Sequence, residues 1–278
     1  MNASWKTIWL ILCIAVLTAC GGGSSDDPTE SSQYDNLPDL TLPSAQVLCG
    51  SQDLKPYVAN GAACAAPHLS PVIALQMQDR SGNIARCSGF LVTPTAIVTA
   101  AHCVDGKARI GAVQWQADAS NSWVFARAWA KHPSYTALRS SNPLINGALV
   151  NDVAVVHLSG SLPNPTMAIL TSQTLRAGQS AYVAGWGQPT NKPVTGMIRV
   201  EAIEGPLAVF GYDGKLSGTC SGDSGGPFYR VVNGRMGAVG VTSFGLTGCP
   251  SAVSFFANLQ EPSLLQFLRS QIPGLPVM

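Results

Sequence analysis

Apolar residues along this chain come in short runs broken by turn-forming residues. Val72-Ile73-Ala74-Leu75-Gln76-Met77-Gln78 passes from a continuous run into alternation, the period of a strand with one buried face. Phe90-Leu91-Val92, Ala96-Ile97-Val98, Val153-Ala154-Val155-Val156, Ala181-Tyr182-Val183-Ala184 and Gly237-Ala238-Val239-Gly240-Val241 are further runs, most of them rich in β-branched residues. Asp79-Arg80-Ser81-Gly82-Asn83, Ser159-Gly160-Ser161 and Asn233-Gly234 read as the turns between strands. Pro163-Asn164-Pro165 lies midway and links two halves, because two prolines so close cannot both serve a central strand. Helical spacing is seen over Glu261 to Gln271, where Leu264, Leu265 and Leu268 share one face. The pattern predicts an all-β domain closed by one helix, with no internal repeat.

The N-terminus reads differently. Lys6 precedes an apolar run from Thr7 to Leu17, too short to span a bilayer and typical of a signal-peptide core. The run ends in Leu17-Thr18-Ala19-Cys20, which resembles the lipobox of bacterial lipoproteins, where cleavage precedes a Cys that is then lipidated. Gly21-Gly22-Gly23-Ser24-Ser25-Asp26-Asp27 follows as a hydrated, flexible tether. Several acyl chains on Cys20 would anchor the chain stably, where one chain would not. The expected organisation is a signal peptide over 1–19, a lipidated N-terminus, tether and propeptide over 20–57, and a folded domain over 58–278. The expected location is the cell envelope of a bacterium, as a periplasmic or outer-membrane lipoprotein. Gly21 rather than Asp after Cys20 favours the outer membrane where there are two.

Composition supports this picture. Charged residues make up 11% of the 278, against 28 Gly and 19 Pro, which suits short strands and many turns. Five of the 15 acidic residues lie between Asp26 and Asp39, so the rest of the chain is mildly basic. Its Lys and Arg are scattered singly, so no nucleic-acid footprint is expected. Eight Cys are present. Cys13 leaves with the signal and Cys20 carries lipid, which leaves six for three disulfides in an oxidising compartment. No CxxC occurs and the four His are not spaced as ligands, so no metal and no cofactor are expected.

Three motifs carry chemistry: Thr99-Ala100-Ala101-His102-Cys103, Asn151-Asp152-Val153-Ala154, and Cys220-Ser221-Gly222-Asp223-Ser224-Gly225-Gly226-Pro227. A serine hydroxyl needs a base within hydrogen-bond reach, and the base needs a third group to fix its tautomer. Here a Ser, a His and an Asp each sit in a distinct motif. Gly222 lets backbone N–H groups converge on an oxyanion with no Cβ in the way. Gly222-x-Ser224-x-Gly226 also fits a nucleophile elbow, but there the Ser is followed by its Asp and His, and no His lies beyond His157. His68, His132 and His157 are read as structural, with His132 in a surface loop.

These motifs, in the order His, Asp, Ser, resemble the trypsin/chymotrypsin-like serine peptidases. Gly185-Trp186-Gly187, His132-Pro133-Ser134-Tyr135, Ser243-Phe244-Gly245 and the terminal helix add to the resemblance, which covers about 58–272. It implies two antiparallel six-stranded Greek-key β-barrels, about 58–160 and 175–260, with the site between them. It implies His102 as base, Asp152 as its orienter and Ser224 as nucleophile of a serine endopeptidase acting on polypeptides, and a monomer. Gly222 and Ser224 would supply the oxyanion-hole N–H groups. Ser243 would bond Asp152 from behind, and Ser243-Phe244-Gly245 would pair with substrate backbone. Cys87–Cys103 and Cys220–Cys249 match family disulfides.

The sequence departs from the family in two places. The pocket floor, six residues before the nucleophile, is Gly218 followed by Thr219, with no Asp to bind a basic side chain. Gly245 would leave the pocket neck open, and the far wall falls near Val253 or Ser254. An aromatic or large aliphatic residue is therefore expected before the scissile bond. Activation is the second departure. Val58-Ala59-Asn60-Gly61 stands where family zymogens are cut, so a free Val58 amine would pair with Asp223, yet cleavage would follow Tyr57 rather than a basic residue. The usual family partner of Cys64 is missing and Cys49 is left over, so Cys49–Cys64 is expected to straddle the cut. The competing readings are a catalytically silent binding module on this fold and an esterase using the same triad.

Overall fold

The computed structural model describes residues 48–49, 61–64, 66–118, 120–139, 146–187, 192–211, 217–246, 248–249, 251 and 253–278. The signal segment, Cys20, the tether, Tyr57 and Val58 lie outside them. Strands in chain order are β1 (Ala62–Ala63), β2 (Val72–Asp79), β3 (Ile84–Thr93), β4 (Ala96–Thr99), β5 (Lys107–Trp115), β6 (Asn121–Lys131), β7 (Thr136–Ala137), β8 (Leu149–Val150) and β9 (Ala154–Leu158). They continue as β10 (Ala168–Ile169), β11 (Ser180–Gly185), β12 (Val194–Arg199), β13 (Ala202–Glu204), β14 (Leu207–Gly211), β15 (Pro227–Val232), β16 (Arg235–Leu246) and β17 (Val253–Asn258). Two α-helices are described, α1 (Ala101–Val104) and α2 (Pro262–Gln271). Neither is long and apolar enough to cross a membrane.

The first half closes into a six-stranded barrel in the order β2-β3-β4-β9-β6-β5. In the second half six strands follow the path β12-β11-β15-β16-β17-β14. Three short additions join this sheet: β1 on β12, β13 on β14, and β10 in parallel with β16. The expected chymotrypsin-like architecture is therefore present, with extra strands on its second sheet. The core follows the predicted runs. Phe90, Leu91, Val92, Ile97, Val98, Val155 and Val156 have no solvent exposure, so both faces of these barrel strands are covered.

The turns obey local chemistry. Asp79 caps the β2–β3 hairpin by accepting from the Asn83 side-chain amide (2.9 Å), the main cause of its lowered pKa, and from the N–H groups of Asn83 (2.9 Å) and Ser81 (2.8 Å). Asn233 and Gly234 both take positive φ, 51° and 72°, the backbone a two-residue hairpin between β15 and β16 requires. Helix α2 begins with Pro262 in its first turn and buries Leu264, Phe267 and Leu268. Pro163-Asn164-Pro165 does run between the halves. The Asn164 amide donates to Ser70 O (2.9 Å), fixing that connection to the start of the first barrel.

Candidate active site

His102 lies in α1, a single helical turn after β4. Ala100 and Ala101 before it are fully buried, so only small side chains fit there. Cys103 joins Cys87 of β3 by a disulfide, which fixes the turn to the barrel wall. Asp152 precedes β9 and follows Asn151, whose φ is 55°. The Asn151 side chain donates to Ser134 O (3.0 Å), which holds this left-handed turn in place.

These two turns bring His102 and Asp152 together. His102 Nδ1 lies 2.7 Å from Asp152 Oδ2, and the His102 backbone N–H donates to Asp152 Oδ1 at 2.8 Å. Ser243 of β16 donates to Asp152 Oδ2 at 2.5 Å. Asp152 is completely buried, so its charge is balanced by three donors rather than by water. Oδ2 aims at Nδ1, which places the imidazole proton on Nδ1 and leaves Nε2 free to accept.

Ser224 lies between β14 and β15, and several backbone bonds hold the chain on either side of it. Asp223 N–H donates to Cys220 O (3.1 Å), Gly225 N–H to Thr242 O (2.7 Å) and Gly226 N–H to Asp223 O (2.9 Å). The N–H groups of Gly222 and Ser224, on either side of Asp223, donate to no acceptor among the described residues. Gly222 has φ 99°, which a side chain would strain, and a Cβ there would sit 3.1 Å from both Gly187 Cα and Trp186 O. Cys103 Sγ lies 3.6 Å from His102 Nε2 and 3.8 Å from Ser224 O, so one sulfur touches both the imidazole and the Ser224 loop. Cys87, His102 and Cys103 also cluster closely enough to suggest a metal, but their two sulfurs are bonded to each other and offer no thiolate.

Asp223 is buried, and its carboxylate accepts from Gly187 N–H (2.8 Å) and Cys220 N–H (2.9 Å). Burial pushes its pKa up to about 6, against the pull of those two donors. Gly185-Trp186-Gly187 owes its glycines to this contact, because a Cβ at either glycine would collide with Asp223. Val58, the expected partner of Asp223, is outside the described residues.

The residues expected to form the specificity pocket also converge. Gly218 and Thr219 are buried, and Thr219 Oγ1 lies 2.6 Å from Ser254 Oγ. Of the two residues expected at the far wall, Ser254 is fully buried and Val253 partly buried. None of these side chains is charged. Ser251 packs directly against Gly245, so a side chain at 245 would collide with it. Phe244 stacks on Phe255, ring centroids 4.3 Å apart, which supports the strand from behind.

All three disulfides are present, including Cys220–Cys249 and Cys49–Cys64. His132 is buried rather than at the surface. It packs edge-on against Phe267 of α2, and burial lowers its pKa. Sequence reasoning missed Ser88, a fully buried hydroxyl bonded to both Trp186 and Gly222. Its position directly after Cys87 was the available signal.

The trypsin family model matches residues 59–264. The chain is 30% identical to human kallikrein-4 over 217 residues, 69% of this chain and 78% of that protein. It is 28% identical to bovine chymotrypsin-like elastase family member 1 over 67% of this chain and 78% of that one. Brachyurin of Leptuca pugilator is 30% identical over 59% of this chain and 77% of its own. The solved structure of HL collagenase superposes with a TM-score of 0.59 and 23% identity, over 76% of this chain and 96% of that one, a likeness of fold. The chain belongs to the trypsin family and is a serine endopeptidase.

Proposed function

We propose that Ser224 is the nucleophile, His102 the general base and Asp152 the residue that orients His102. The observation that carries this reading is the His102 Nδ1 to Asp152 Oδ2 bond, made by a buried carboxylate with two further donors. His102 Nε2 takes the Ser224 hydroxyl proton as Oγ attacks the scissile carbonyl, and later returns it to the leaving amine. The Gly222 and Ser224 N–H groups receive the oxyanion. Water, activated by the same His102, then hydrolyses the acyl-enzyme on Ser224. A fluorophosphonate probe should label the wild type and not Ser224→Ala. Labelling of Ser224→Ala to the wild-type level would overturn the assignment.

The side chain before the scissile bond is neutral, aromatic or large aliphatic. Gly218, Thr219 and Ser254 supply hydroxyls and small surfaces and no carboxylate, while Ser243, Phe244 and Gly245 form the strand that pairs with substrate backbone. A peptide-library profile dominated by Arg, Lys or Glu would refute this preference. Cleavage after Tyr57 would free the Val58 amine to pair with Asp223. The mature chain is a monomer anchored to the bacterial envelope by lipid on Cys20, a reading supported by the Leu17-Thr18-Ala19-Cys20 motif and the glycine-rich tether. Mass spectrometry of the mature N-terminus tests it, and an unmodified N-terminus beyond Cys20 would exclude it.

A further inference from the structure

We propose that Ser88 is a positioning residue for the oxyanion-binding backbone, an inference that rests on the reading of Gly222 and Ser224 given above. Ser88 lies on β3 of the first barrel and has no solvent exposure. Its hydroxyl donates to Gly222 O at 2.7 Å and accepts from Trp186 N–H at 2.8 Å. Its own N–H donates to Ser224 O at 2.7 Å, and its carbonyl accepts from Thr99 Oγ1 at 2.7 Å. One residue of the first barrel therefore holds two carbonyls of the nucleophile loop, one on each side of Asp223.

These two bonds complete the fixing of two peptide planes. In the plane joining Gly222 to Asp223, the oxygen is held by the Ser88 hydroxyl and the N–H by Cys220 O. In the plane joining Ser224 to Gly225, the oxygen is held by the Ser88 N–H and the N–H by Thr242 O. The Gly222 and Ser224 N–H groups are flanked by these fixed planes and have no acceptor of their own among the described residues. Their directions follow from the planes beside them. A loop able to rotate at Gly222, which has no Cβ to limit it at φ 99°, would lose that convergence.

Trp186 makes the hydroxyl a firm anchor. Its indole donates to Val72 O at 3.0 Å and stacks on Trp115 with ring centroids 5.6 Å apart, so its N–H presents a fixed donor to Ser88 Oγ. That donor orients the hydroxyl, which is left to donate to Gly222 O. Without the hydroxyl, Gly222 O and Trp186 N–H would both lose their partner in a part-buried site, and a neighbouring rotation of the loop would relieve the loss.

The test compares wild type, Ser88→Ala and Ser88→Cys with an amide substrate, a peptide boronic acid and a fluorophosphonate. Ser88→Ala should lower kcat about 10- to 100-fold, the range expected when a buried hydrogen bond that positions oxyanion donors is lost, with KM within about twofold. The boronic acid Ki should weaken by a matching factor, because that adduct uses the same N–H groups. Ser88→Cys keeps the volume with a weaker donor and should fall between the two; it carries the comparison if Ser88→Ala does not fold. Kcat and Ki within twofold of wild type in the folded variants would overturn the proposal. So would a loss confined to KM or to the number of fluorophosphonate-reactive sites. A wild type that reacts with neither probe would instead overturn the triad reading itself.

Discussion

Asp223 is the buried charge most exposed to a pH experiment. Its ordinary carboxyl pKa of 3.8 is raised to about 6 by burial, so the folded chain holds this proton more tightly than the unfolded chain. The contribution to stability is therefore full below about pH 4 and is lost as pH rises through about 6. The difference between the two values corresponds to about 3 kcal/mol. For a domain of this size that is roughly 6 to 12 °C in Tm. His132 and His157 act in the opposite sense: burial lowers both below 6.5, so their contribution is present above that value and is lost as pH falls. A raw melting curve mixes the two signs, and substituting Asp223 separates them. Ser224→Ala, which cannot digest itself, and Ser224→Ala with Asp223→Asn would be melted from pH 4 to pH 7.5 in uncleaved form. Asn fits the two N–H donors less well, which adds a constant deficit to the double variant at every pH. Beyond that deficit, the gap between the curves should narrow by about 6 to 12 °C as pH rises from about 4 to about 6 and stay constant above. Curves that stay parallel within about 2 °C would refute the assignment of this titration to Asp223. Cleavage after Tyr57 should reverse the sign, because an ammonium at Asp223 favours the carboxylate.

Three further outcomes are expected. Asp152→Asn should lower kcat by about 10⁴ through the wrong imidazole tautomer, a magnitude carried over from the family's type enzyme rather than from this geometry; Ser243→Ala, which removes one of three donors to Asp152, should cost far less, about 10-fold in kcat/KM. Gly218→Asp should bring a carboxylate to the pocket beside Thr219 and Ser254 and shift a peptide-library profile toward Lys and Arg, and an unchanged profile would remove Gly218 from the pocket floor. Cleavage at Tyr57–Val58 should leave two chains joined by Cys49–Cys64, so the peptidase should leave membranes only when a reductant is added; release without reductant would refute the link.

The legibility of this fold in its sequence depended on how strictly each segment's neighbours constrained its residues. Strands covered on both faces, such as β4 and β9, are continuous apolar runs and could be read directly. Strands β5 and β6 could not. Their Lys107, Arg109, Gln114 and Arg127 interrupt the apolar pattern, and much of β6 faces solvent, with Trp123 and Phe125 exposed and Arg109 lying 3.9 Å over the Phe125 ring. Phe267 of α2 escaped for a related reason: the helical face was drawn through the leucines alone, while the packed face also meets His132. In the site the same contrast holds. His102, Asp152 and Ser224 sit in motifs because their chemistry requires particular local turns. Ser88 requires no turn of its own; it is a small residue at a strand position, and its importance comes from carbonyls on the other barrel, 134 residues away in the case of Gly222. The two-barrel arrangement has a physical consequence here. His102 and Asp152 belong to the first half and Ser224 to the second, so no local sequence rule can hold them in register. The groups that do so are cross-barrel bonds: Ser243 to Asp152, Cys103 against Ser224, and the Ser88 hydroxyl and amide. Substitutions at those bonds should therefore alter turnover before they alter the stability of either half.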